Sequence, residues 1–456
     1  MSRALSRPFS RRALLSGVAA TLATIPARSE PAPAGLRALE ARPGKARLSG
    51  ATETDILGFD GATPGPILRY RQGDELAIRF LNRLDRLPAT VHWHGLRGDN
   101  AMEGVAPLTQ AAVAPGGAFD YRRKLADPGL FCYRPSVYGE TPELMGRGLK
   151  GLLLVEEPTP LPADADLLLV LDDWRLDDKG QIAGPFDDPA AARGVGRIGP
   201  LLCVNGKQAP AERQFQPGAR VRLRLANLAN ARIMILSLLG AQPFVIAIDS
   251  QPCEAFEPIK RSIPVAPGAR FELMFDMPEQ EGAKASLVLR GQNGEDRELL
   301  VAEARGAKTG KRPPIAAAPP NPTLPAEIPL AKAKKVDLVI EPRKGEARGP
   351  AWTINGAATK AYEGPPLFRV ARGTPVTLGF INKSPSPLAM HAHGQCMRLL
   401  HDLDDGWEPY WRNGVIIPPG KTKHAAFVAE SPGKWAIHDD ILEHEAGGLA
   451  TWFEVD

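Results

Sequence analysis

An all-β chain of three tandem Greek-key β-sandwich domains is the architecture expected of these 456 residues, and three observations lead to it. With 45 Gly and 45 Pro, the apolar runs are short and broken by Pro-Gly, Asn-Gly and Asp-Gly pairs, the punctuation of strands and turns. The length exceeds one ordinary domain and suits about three, each large enough to bury its own core. One unit also recurs three times, at a period far longer than that of a solenoid, so what repeats is a domain.

Taken in order, the first 29 residues stand outside the fold. Ser10-Arg11-Arg12-Ala13-Leu14-Leu15 opens an apolar run to Ile25, and Pro26-Ala27-Arg28-Ser29 supplies a small-residue cleavage region, the pattern of a twin-arginine export signal. No later stretch reaches the ~18 apolar residues of a membrane span. The expectation is a periplasmic, exported protein without a membrane span. The segment holds five Arg and no acid, so the formal charge of +4 belongs to it and the rest of the chain is close to neutral. With no long basic run there is no electrostatic case for nucleic acid, and none is expected as a partner.

The first domain, residues 30–158, carries Asp60-Gly61, Gly73 and Asn82. The second, 159–309, repeats them as Asn205-Gly206, Gly218 and Asn227 at the same spacings. A Pro/Ala/Lys-rich stretch, 310–335, reads as an extended linker. The third domain, 336–456, has Asn355-Gly356, Gly373 and Asn382, with five extra residues before its glycine. Strand alternation follows each second glycine, as in Val221-Arg222-Leu223-Arg224-Leu225. Pro115-Gly116, Pro267-Gly268 and Pro419-Gly420 then each open another strand, with Gly129 and Gly433 further on in copies one and three. Cys132, Cys203, Cys253 and Cys396 show no C-x-x-C spacing, which removes zinc and redox dithiol motifs; Cys203 and Cys253 either pair after export or, like the others, stay buried thiols.

Histidine is the informative residue. Val91-His92-Trp93-His94-Gly95 and Met390-His391-Ala392-His393-Gly394 share one pattern, and His438 and His444 follow in Trp435 to His444, so six of the eight histidines fall in paired blocks. Two imidazoles two residues apart on a strand point the same way and can converge on one metal. His92 lies ten residues after Asn82 and His391 nine after Asn382, which puts the pairs on equivalent strands. The second copy has no histidine. A metal cluster between the first and last domains, with the middle one as spacer, is the arrangement this suggests.

These motifs resemble the three-domain multicopper oxidases: laccases, cuprous oxidases and bilirubin oxidases. The likeness runs through His92-Trp93-His94-Gly95, Asn100 to Gln110, Pro115-Gly116-Gly117, Gly146-Arg147-Gly148-Leu149, the second His-x-His-Gly and Ile441-Leu442-Glu443-His444. The resemblance implies cupredoxin-like domains and a blue copper that feeds a trinuclear copper cluster through a Cys flanked by histidines. It also implies which positions have changed. At the blue site Asp439 stands for the thiolate, Leu388 for the first histidine and Leu449 for the axial ligand, leaving His444. Of the trinuclear ligands His92, His94, His391, His393 and His438 remain, while Arg134, Ser136 and Asp440 replace the others. His92 and His391 would hold the single, non-paired copper, and Glu103 and Glu445 sit where the family relays protons.

The function expected is therefore a residual site for at most one copper ion, or none, with His92, His94, His391, His393 and His438 as ligands and Glu103, Asp440, His444 and Glu445 behind them. An arginine repels a cation at a few ångströms, which is why a full cluster is not expected. Two other readings stand beside it: a metal-free periplasmic scaffold of the cell-division type with a protein partner, and a working oxidoreductase on phenols or metal ions. No residue points to a particular small-molecule substrate. Two pairings are expected of the replaced positions, Asp439 with His444 and Arg134 with Asp440.

Overall fold

The structure is a computed structural model that describes residues 35–291, 294–344, 350–358, 362–401 and 406–456. The twin-arginine segment expected at 1–29 and residues 359–361 of the insertion before Gly373 lie outside the described residues. Strands make up 45% of the chain and helices 6%, so the molecule is all-β as expected.

Six sheets pair into three cupredoxin-like sandwiches. In the first, one sheet runs in the order Thr54–Phe59, Arg37–Ala46, Glu75–Asn82, Ala118–Lys124, and the other Leu68–Arg71, Gly151–Glu156, Gly129–Arg134, His92–His94. In the last, the sheet Arg369–Val370, Ala450–Val455, Gly433–Asp439, Leu388–Ala392 repeats that second order strand for strand before adding Gly414–Ile417 at its edge. The middle sandwich pairs a seven-stranded with a five-stranded sheet. Each encloses its own apolar core, around Phe80 and Trp93, around Leu223 and Phe275, and around Phe380 and Trp435. The first strand of the last sandwich, Lys334–Pro342, begins inside the stretch 310–335 read as linker. Earlier in that stretch Asn321 is tied to Asp127 and Gln251, both at 2.9 Å.

The repeat has a physical cause. Asn82, Asn227 and Asn382 each end a central strand, fully buried, and each amide nitrogen donates to one carbonyl of the following loop (Leu87, Arg232, Ser386) and to one from a segment further along the chain (Val113, Val265, Ile417). Each amide oxygen accepts from the backbone two residues on, at Leu84, Ala229 and Ser384. A buried loop needs such a partner for its polar backbone. Asp60-Gly61, Asn205-Gly206 and Asn355-Gly356 turn with both residues at positive φ, the conformation that Asn-Gly and Asp-Gly favour in hairpins. The strand Arg220–Asn227 departs from simple alternation: Val221, Leu223 and Leu225 enter the core, but its arginines are buried too, in pairs such as Arg222 with Glu272 and Arg224 with Asp166.

Candidate metal centre

Sheet register assembles the site. His92 lies opposite Arg134 and His94 opposite Cys132, while His391 lies opposite His438 and Met390 opposite Asp439. The two sheets face each other, and the imidazoles meet between the first and last sandwiches: the His92 and His393 rings lie 4.3 Å apart, as do those of His94 and His391. Both His-x-His motifs end in glycine for want of space. A Cβ on Gly95 would lie 2.2 Å from the Arg270 guanidinium, and one on Gly394 2.1 Å from the Trp435 ring.

Hydrogen bonds set the tautomers. His92 Nδ1 lies 3.0 Å from the Glu103 carbonyl and His391 Nδ1 2.9 Å from the Asn413 carbonyl. A carbonyl can only accept, so both Nδ1 atoms carry the proton and both Nε2 atoms present a lone pair. Neither Nε2 has a hydrogen-bond partner, although both are buried. His438 Nδ1 likewise donates to the Asp439 carbonyl at 2.9 Å, which makes its Nε2 the acceptor of the 2.6 Å bond from His393 Nε2. His393 Nδ1 is then left to accept from Glu103 Oε1 at 3.2 Å. Burial, opposed by Arg123, pushes Glu103 up to about 8, so at neutral pH it has the proton to give. Burial first, then neighbouring cations, holds His92, His94, His391 and His393 well below the ordinary histidine value, in the neutral form that binds metals.

Two groups of donor atoms lie within 4.8 Å of one another: His92, His391 and His393, and His94, His391 and Asp440. Arg134 donates from Nη2 to Asp440 Oδ1 at 2.9 Å, the pairing expected of these two, and its buried Nη1 has no partner. Burial raises Asp440 to about 6 against the pull of Arg134. Ser136 is buried and its amide donates to the Thr90 hydroxyl oxygen. Glu445 accepts from Tyr362 at 3.1 Å, and its second oxygen has no partner.

At the second set of positions singled out by the resemblance, Leu388, Leu449 and Asp439 are all fully buried. Its Oδ1 accepts from the amides of Ala389 and Ile441, and its Oδ2 lies 2.9 Å from His444 Nδ1. His444 Nε2 lies 2.8 Å from the Gly194 carbonyl. Both ring nitrogens of His444 thus face acceptors and both must donate. Burial lowers the His444 pKa, but the charge and hydrogen bond of Asp439 outweigh it, and the net shift is upward. The expected pair is therefore present as a buried contact that favours the protonated ring.

Models of the multicopper oxidase family match residues 40–160 and 332–456. The multi-copper oxidase of Pseudomonas thermotolerans superposes with a TM-score of 0.82 at 31% identity, over 92% of this chain and 98% of that one. The chain belongs to the multicopper oxidase family. Within it, multicopper oxidase MmcO of Mycobacterium tuberculosis is 28% identical over 98% of this chain and 96% of its own length. Cell division protein FtsP of Xenorhabdus nematophila is 32% identical over 52% of this chain and 50% of its own. Copper binding is a general property of this family.

Some residues that shape the centre gave no sign in the sequence. Asn413 fixes the His391 tautomer and accepts from Arg270; Arg123 meets Glu103 at 3.4 Å; Tyr362 holds Glu445. Each acts across a long separation in sequence, where no local spacing marks it. The four cysteines are buried free thiols, so Cys203 and Cys253 are not paired.

Proposed function

We propose that this is an exported member of the family that holds at most one metal ion, copper, between His92 and His391, with His94, His393 or His438 adjoining, and that it does not work as a laccase. The observation that carries the reading is the pair of buried, unpartnered Nε2 lone pairs on His92 and His391. Neutral imidazoles suit copper, which when bound would supply a one-electron redox centre. The other positions do not fit the family's full complement. A thiolate is missing where Asp439 pairs with His444, and the Arg134 guanidinium stands among the remaining histidines. Export rests on the twin-arginine pattern; among the described residues no helix is long and apolar enough to cross a membrane.

The test is spectroscopic and catalytic. Copper-reconstituted protein is expected to lack the intense blue thiolate band and to oxidise neither phenols nor cuprous ion. Blue colour with steady dioxygen consumption would establish the oxidoreductase reading instead. The similarity to FtsP favours a second reading, a metal-free scaffold with a periplasmic protein partner. A fully folded protein that retains no metal after mild chelation would support that one.

A further inference from the structure

A cavity of about 600 Å³ lies between the middle and last sandwiches and reaches into the first. Its outer end is at Ile259, 72% exposed; its inner end is His94 and Asp440, 1% and 4% exposed. It is thus a passage from the surface to the histidine cluster, of a size that encloses a small organic molecule. Ile248, Ile263 and Leu399 make its wall largely apolar, and Phe256 and Tyr410 stack in it with ring centres 4.7 Å apart.

The wall's charges are already compensated. Asp249 receives the Asn413 and Arg270 amides and lies 3.5 Å from the Arg270 guanidinium; Arg412 pairs with Glu408; Lys423 is likewise engaged. An ionic ligand would lose its water without gaining a free counter-charge. At the inner end one carboxylate oxygen remains open. Asp440 Oδ1 is taken by Arg134, but Oδ2 lies 3.8 Å from His94 Nε2 and accepts no hydrogen bond among the described residues.

Access to that oxygen depends on Gly268. A Cβ there would lie 2.7 Å from His94 Nε2 and 3.3 Å from Asp440 Oδ2, whereas at Gly116 and Gly420, the equivalent Pro-Gly turns, a Cβ would meet nothing within 4 Å. All three have positive φ, so backbone strain on substitution is shared and the contact with His94 and Asp440 is not.

We infer that this cavity binds an uncharged, mainly aromatic molecule of roughly two rings, which enters between the middle and last domains and donates one hydrogen bond to Asp440. The site does not depend on a bound metal. The test titrates 2-naphthol and naphthalene-2-sulfonate into the full-length protein as purified, with its metal content measured alongside. Saturable binding of one 2-naphthol per chain is expected, with the sulfonate at least about tenfold weaker. Gly268→Ala should weaken 2-naphthol by at least about tenfold while Gly116→Ala leaves it unchanged. Ala269→Phe, which fills the cavity from a half-buried wall position, should abolish binding even if Gly268→Ala does not fold. Absent saturation, equal binding of the sulfonate, or binding indifferent to both cavity variants overturns the inference. Naphthol binding by a protein that takes up no copper on reconstitution would leave it standing while overturning the copper site, so the two readings fail separately.

Discussion

The Asp439–His444 contact fills, with a buried polar pair, the place where the family resemblance implies a thiolate. Two backbone amides donate to the Asp439 carboxyl group, and its charge and hydrogen bond raise the pKa of His444 against the effect of burial. A histidine whose folded pKa is raised above the ordinary value contributes stability that is fully present below about pH 6.5 and is lost as pH rises through the folded value. Stability should therefore fall with rising pH above that point, and NMR titration should show a lower His444 pKa in Asp439→Asn than in wild type. An unchanged value would contradict the pair. Arg134 and Asp440 are a second case, since each is costly to bury alone. Arg134→Met is expected to lose ~3 kcal/mol or more in denaturant unfolding, and Arg134→Met with Asp440→Leu to recover much of it. Wild-type stability in both single variants, Arg134→Met and Asp440→Leu, would rule the pairing out.

At the scale of elements, the sequence was most legible where local chemistry repeats. The Asn-Gly and Asp-Gly turns, the strand-ending asparagines and the Pro-Gly openings mark the same structural tie in each sandwich, and they could be aligned without coordinates. Asn227 belongs to the copy without histidines, so Asn227→Ala should lower stability by about 2 kcal/mol, by leaving buried carbonyls unpaired, with no change in metal binding. Thermal or denaturant unfolding beside a metal assay checks this; a stable variant would mean the tie is dispensable. Less legible was the strand Arg220–Asn227, whose alternation suits a half-exposed strand although its arginines are buried in ion pairs. The short helix Thr141–Gly146 had no periodicity to announce it.

At the scale of the whole molecule, the centre exists because the first and last sandwiches bring together residues roughly three hundred positions apart, such as Arg134 and Asp440. The histidines were readable because each pair is local and each pair recurs. Their supports were not: Asn413 is held by Asp249 and Arg270 of the middle sandwich, which thus does more than space the other two. A metal that binds the folded centre and not the unfolded chain should raise the melting temperature, and chelation should lower it. The central claim is tested most directly by the copper content of the purified protein beside that of His92→Ala with His391→Ala, each measured after mild chelation. No more than one copper per chain is expected in wild type and none in the double variant. Three or four coppers per chain, or copper retained undiminished by the double variant, would contradict it.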